Sequence, residues 1–220
     1  MSRKEQLALL ASMISENGSR PRRSSEDIEV RTVEDMQTFD AVKLLRAKGY
    51  SIWGDVPEGL TDAYDHQKKS KTFGVFDRDM LIGTVRLIKE ETPSGLVVPA
   101  PIDAMWLMKI DDLWPHQRLG KVASEMSMYT IHPDYRTASN PITKLLFDVA
   151  EKYAHEGRNT LTYGLMRDFV VKTVRGAGKF CERVTEARLN LDNPEVRQYC
   201  EHFERYFLRE PRPLLYVMHS

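Results

Sequence analysis

Blocks of alternating apolar and polar residues, and blocks with apolar residues spaced by three and four, follow one another along the chain. IEVRTV at 28–33 alternates as a half-buried strand does, and EDMQTFDAVKLLRAKGY then carries apolar residues at helical spacing, with Gly49 placed to stop a helix. KTFGVF and MLIGTVRLI, joined by Asp77-Arg78-Asp79, predict a β-hairpin over residues 71–88. ETPSGLVVPAPID and KIDDLWPHQRLGK are interrupted by proline and glycine, so a long excursion with little regular structure is expected there. VASEMSMYTI predicts a strand, PITKLLFDVAEKYAHEG a helix ending at Gly157, NTLTYGLM a strand, and DFVVKTVRGAG a helix ending in glycines. ERVTEARLNL offers strand material, NPEVRQYCEHFERYF a helix, and PLLYVM a closing strand.

This order implies an α/β (α+β) domain with a mixed sheet flanked by helices. A dinucleotide-binding reading fails, because no glycine-rich phosphate fingerprint follows the first strand. SENGSRPRRSSED, residues 15–27, is poor in apolar residues and suits a connector after a short amphipathic helix. The expected division is therefore residues 1–27 as N-terminal helix and linker and residues 28–220 as the compact domain.

At 220 residues with 41% hydrophobic content the chain affords a real core. Thirty-two basic residues balance thirty-two acidic ones, so nothing recommends nucleic acid as a partner. Two cysteines, Cys181 and Cys200, make no disulfide framework and no metal spacing, which points to a reducing cytoplasm and no bound metal. The N-terminal apolar stretch is too short and interrupted for a membrane span or a secretory leader.

Candidate chemistry centres on EMSMY at 125–129. Strict alternation would put Glu125, Ser127 and Tyr129 on one face of the strand and Met126 and Met128 on the other. Such a strand either turns its polar face to water or displays Glu125 in a cleft as a proton acceptor. A second cluster, Asp62, Tyr64 and Asp65 in DAYD, stands just before the hairpin and is not explained by it. The six histidines lack the spacing of a catalytic triad. Trp106 and Trp114 fall in the excursion, where they anchor it or cover a cleft.

In order, DAYD at 62–65, GTVRLI at 83–88, ETPSGL at 91–96 and EMSMY at 125–129 resemble the motif series of the GNAT superfamily of N-acyltransferases. The match is to its acyl-homoserine-lactone synthase and N-acyl amino acid synthase branch, over roughly residues 28–190. The resemblance implies a GNAT-like, mostly antiparallel central sheet and an enzyme that moves a fatty acyl group from a thioester to an amine. It further implies Glu125, Ser127 and Arg86 as catalytic residues, Arg86 pairing with Glu125 or a nearby aspartate. Asp62, Tyr64 and Asp65 would bind the amine, and Tyr129, Met126 and Met128 would line the substrate site. The acyl chain would lie between the strands of Glu125 and NTLTYGLM, where Leu161, Leu165 and Met166 add apolar surface.

Two departures sharpen the expectation. Met128 stands where the family motif has arginine, which counts against lactone synthesis from S-adenosylmethionine. The glycine-rich pyrophosphate loop is absent after HPDYR, leaving a helix start at Ser139 and Asn140, with Pro141 in its first turn, as the place for a donor phosphate. No tightly bound cofactor is implied. The expected co-substrate is an acyl carrier protein thioester or an acyl-coenzyme A, the carrier protein favoured as partner, and the expected acceptor is an amino acid or related small molecule. The remaining alternatives are a lactone-signal synthase, an enzyme acting on a peptide amine, and a non-catalytic acyl-binding module.

Overall fold

Seven strands hydrogen-bond into one mixed sheet in the order β1-β2-β3-β4-β5-β7-β6. The computed structural model describes residues 28–53, 65, 70–89, 122–156, 160–184, 190–202 and 204–219. The expected N-terminal helix and linker, the excursion with Trp106 and Trp114, and Asp62 and Tyr64 lie outside the described residues. The strands are β1 Ile28–Thr32, β2 Ser70–Asp77, β3 Met80–Lys89, β4 Val122–Ile131, β5 Thr160–Met166, β6 Phe180–Arg183 and β7 Leu214–His219. Every neighbouring pair is antiparallel except β4 with β5. The mixed, mostly antiparallel sheet expected of a GNAT-like fold is therefore present.

Helix α1, Met36–Tyr50, is opened by Asp35, whose side chain accepts from the Thr38 amide at 2.8 Å. Its residues Val42 and Leu45 pack on Phe76 and Leu81. On the opposite face, α2, Ser139–Ala154, and α3, Asp168–Gly176, bury Ile142, Leu146, Phe147, Val170 and Val174 against Val75, Val85, Leu87 and Met126. A segment between β6 and β7 forms α4, Pro194–His202, and the single turn α5, Glu204–Phe207. Its Val196, Cys200 and Phe207 form a second small core with Ala47, Tyr50, Met128 and Leu165, on the side of the sheet that carries α1.

Three sequence expectations are corrected. Gly49 does not stop α1 but lies buried inside it, where a Cβ would overlap the Thr130 methyl of β4, so glycine is there for close helix–sheet approach. The strand expected through ERVTEARLNL ends at Arg183, once its pairing with β7 has run out. Strict alternation in β4 also fails. Arg86 pairs with Ser127 and Thr84 with Thr130, so Met128 and Tyr129 together oppose the single residue Val85, and Met128 takes φ 52°. This bulge turns Tyr129 to the α2 side, beside Phe147, and leaves Met128 on the α1 side with Ser127.

Candidate functional site

Arg46 lies on the apolar stripe of α1, one turn after Val42, and is buried. Its Nη1 donates to Asp65 Oδ1 at 2.8 Å and its Nη2 to Thr72 Oγ1 at 3.3 Å. Arg86 on β3 brings Nη1 within 3.2 Å of the same Asp65 oxygen, and its Nε donates to Ser127 Oγ at 3.2 Å. Two guanidiniums thus share one carboxylate oxygen in a dry site, where removing any member leaves a charge poorly compensated. Burial is the main influence lowering the Arg46 pKa; Asp65 opposes that shift and Arg86 adds to it. Burial likewise pushes the neighbouring Tyr50 phenol up, with Arg46 and Arg86 pulling the other way.

Glu125 is buried at the middle of the sheet, opposite Ile88 of β3 and Tyr163 of β5. Two residues before Ser127, it shares the face that carries Arg86, so a second carboxylate stands on the side of the Arg46–Asp65–Arg86 cluster. One residue further on, the Met126–Gly164 pair is the last between β4 and β5. From there β4 runs on beside β3 alone, and β5 beside β7 alone. The bulge at Met128–Tyr129 falls in this divergence, so the β4 backbone is irregular at the point where it has lost its β5 neighbour.

A cavity of about 40 Å³ occupies the parting of the strands, lined by Met126, Ser127, Met128, Gly164, Leu165 and Met166 among others. A larger one of about 400 Å³ adjoins it, sharing Tyr50, Tyr129, Val170 and Tyr206, and is bordered by Trp53, Arg136, Phe169 and Thr173. That volume is in the range of small-molecule sites. Trp53 stacks on Phe169 at 5.7 Å and meets Tyr206 edge-on at 5.6 Å, while the Arg167 guanidinium sits 4.7 Å from the Trp53 ring centre. Arg167 is itself fixed by the Arg209 carbonyl at 2.9 Å and the Pro211 carbonyl, tying β5 to the chain entering β7.

The structure therefore brings Arg86, Asp65, Ser127 and Glu125 to one face. Met126 and Met128 both reach the parting of the strands, from opposite sides of the sheet. Tyr129 is separated from Glu125 by the bulge: its hydroxyl bonds Thr143 Oγ1 at 2.6 Å, and burial pushes its pKa up to about 12. Leu161 does not line either cavity. Ser139 and Asn140 open α2, directly after the 3-10 turn Pro133–Ala138, with Pro141 supplying no amide proton to that first turn. Among the described residues there is no group of three or more His, Cys, Asp or Glu able to hold a metal ion, and no helix is long and apolar enough to cross a membrane.

Sequence reasoning passed over Arg46, Tyr163 and the Trp53–Phe169–Tyr206 group. For Arg46 the signal was available, since it is a charge on the apolar stripe that Phe39 and Val42 define. The aromatic group comes from three distant segments that only the fold brings together.

Comparison with known proteins accords with this architecture. No curated protein sequence matches the chain. The solved structure of FeeM, an N-acyl amino acid synthase from uncultured soil microbes, superposes with a TM-score of 0.55 at 14% identity, covering 87% of this chain and 90% of that one. The acyl-homoserine-lactone synthase LasI gives 0.56 at 13% identity over 87% and 89% of the two chains. BjaI, a coenzyme A-dependent acyl-homoserine-lactone synthase solved with S-adenosylmethionine and isopentyl-CoA, gives 0.52 at 13% over 87% and 82%. At such identities these likenesses speak for the fold. The family model for the N-acyl amino acid synthase FeeM matches residues 41–185, a stretch that runs from α1 past β6 and takes in every residue of the buried cluster. The chain belongs to the FeeM family of N-acyl amino acid synthases and is an N-acyltransferase.

Proposed function

We propose that this enzyme transfers a fatty acyl group from a phosphopantetheine thioester, on an acyl carrier protein or on coenzyme A, to the amine of an amino acid. The observation that carries this reading is the parting of β4 from β5 after the Met126–Gly164 pair, one residue along β4 from the buried Glu125. A thioester lying in the parting would present its carbonyl to the irregular backbone at Met128–Tyr129, whose amides are the natural oxyanion donors there. The acceptor reaches the carbonyl from the Glu125 side.

Aminolysis then needs three things of the chain. Glu125 takes a proton from the incoming ammonium, directly or through a water, so that a neutral nitrogen attacks the carbonyl carbon. Arg86, held by Asp65 and Ser127, fixes the charge environment of that carboxylate, and Arg46 holds Asp65 from the helix side. The family resemblance assigns the binding of the acceptor amine to Asp62, Tyr64 and Asp65. On collapse of the tetrahedral adduct the C–S bond breaks, and the leaving thiolate takes up the proton that the adduct's nitrogen sheds, giving the amide and the free thiol. Arg136, beside the larger cavity, and the first turn of α2 at Ser139 and Asn140 would meet the phosphate of the donor's pantetheine arm.

The test is thiol release by purified protein given acyl donors on carrier protein and on coenzyme A, against pooled amino acids and S-adenosylmethionine, with mass spectrometry of the products. An N-acyl amino acid with stoichiometric free thiol supports the reading. Release of methylthioadenosine with an acylated lactone would replace it by the lactone-synthase alternative, which BjaI, solved with S-adenosylmethionine, makes the rival to exclude.

A further inference from the structure

Gly164 is an anomaly in the centre of the sheet. It is the last β5 residue paired with β4 and is flanked by β7 on its other side. Glycine weakens a strand interior, and it is kept there when a backbone must come close or when φ is positive. Neither reason holds at 164. Its φ is not in the left-handed region, and a Cβ would rest at ordinary contact distance from its surroundings, 3.4 Å from the Met126 carbonyl oxygen, 3.5 Å from Met218 Cε and 3.8 Å from Met166 Cε. Gly49, where a Cβ would overlap Thr130, shows what a sterically required glycine looks like in this chain.

What surrounds Gly164 points to a reason outside the resting fold. Met126, Met166 and Met218 line the same cavity from three different strands, all buried. At about 40 Å³ that cavity holds only a few waters' worth of space, far less than an alkyl chain fills. Unbranched thioether side chains are the apolar groups most easily moved to other rotamers, so the part of the wall they form, beside Leu165 and Val170, yields at lower cost than the rest.

We propose that Gly164 and the methionines around it are the chain-length selector of the enzyme: the bare backbone at 164 leaves the passage through which the acyl chain enters, and Met218 and Met166 are the movable stop at its end. The proposal rests on the acyl-transfer reading and names the residues that choose among donors. A methyl group at 164 narrows the passage without disturbing the resting packing, and shortening Met218 moves the stop back.

The experiment measures binding of octanoate, dodecanoate and hexadecanoate to the wild-type protein, Gly164→Ala and Met218→Ala by thermal shift and by displacement of a fluorescent fatty acid, with no amine present. Gly164→Ala is expected to remain folded and to lose affinity for the longer acids by about tenfold relative to octanoate, the scale set by a misplaced methyl group in an apolar pocket. Met218→Ala is expected to shift preference toward the longer acids. Should Met218→Ala unfold, the Gly164→Ala profile alone decides. An unchanged length profile in folded Gly164→Ala, or no fatty acid binding to the wild type, overturns the selector. Because no acceptor is used, a shifted profile supports it even where no amide product is found, which would instead count against the proposed reaction.

Discussion

At the level of single residues, Arg46 belongs to none of the motifs read from the sequence, yet it is buried and hydrogen-bonded. Arg46 holds Asp65 and Thr72 from inside the helix stripe, and Asp65 also serves Arg86. Arg46→Ala should cost about 3 kcal/mol, the low end for breaking a buried pair, since Arg86 still faces the carboxylate. Arg46→Lys should fall between, because one ammonium cannot span both partners. Urea denaturation of the two variants checks this, and an Arg46→Ala midpoint equal to wild type would contradict it. Cys200 gives a second residue-scale expectation. It is buried in the core under α4, and burial together with Glu201 pushes its thiol up to about 11. A thiolate-directed reagent at neutral pH should label it slowly in the native protein and quickly in urea. Rapid native labelling would mean that α4 opens readily.

At the scale of elements, α1 matters because it delivers Arg46, and two features seat it. Asp35 caps its first turn, and the hydrogen bonds to Thr38 lower the Asp35 pKa. Asp35→Ala should cost about 1 kcal/mol at neutral pH. A carboxylate with a depressed folded pKa stabilises above its unfolded value, about 3.9, and loses that contribution as pH falls through the folded pKa. The difference between wild type and Asp35→Ala should therefore be full at pH 7 and vanish in strong acid; a constant gap across that range would refute the cap. Gly49 seats the other end against Thr130. Gly49→Ala should destabilise by about 1–3 kcal/mol through overpacking, and adding Thr130→Ser, which removes the methyl it meets, should recover most of that loss. Independent, additive effects of the two substitutions would show that the helix and strand do not touch there.

At the scale of the whole molecule, the order of elements was legible because each segment carries one period, two for strands and three to four for helices, set off by prolines and glycines. The break in β4 was not, since a bulge is a property of pairing and Met128 carries no glycine or asparagine to announce φ 52°. For the same reason alternation grouped Tyr129 with Glu125, although its hydroxyl is fastened to Thr143 across the sheet. Arg86, Asp65, Ser127 and Glu125 could be named because their motifs stand in the order of the family they resemble; of these only Glu125 and Ser127, two apart on β4, also follow from strand spacing. The Trp53–Phe169–Tyr206 group could not, being assembled from the turn after α1, the start of α3 and α5. The fold thus sets the buried Arg46–Asp65–Arg86 cluster and Glu125 on one face of the sheet where β4 and β5 part, with Trp53, Phe169 and Tyr206 bordering the larger cavity. In the proposed reaction Glu125 accepts the proton of the attacking amine. The measurement that tests it most directly is thiol release by Glu125→Gln beside wild type, on an acyl donor and acceptor that the wild type converts, with folding checked by circular dichroism. Turnover should fall by about a hundredfold to ten-thousandfold with the fold retained; a folded Glu125→Gln variant that releases thiol and forms amide at the wild-type rate would show that Glu125 is not the base.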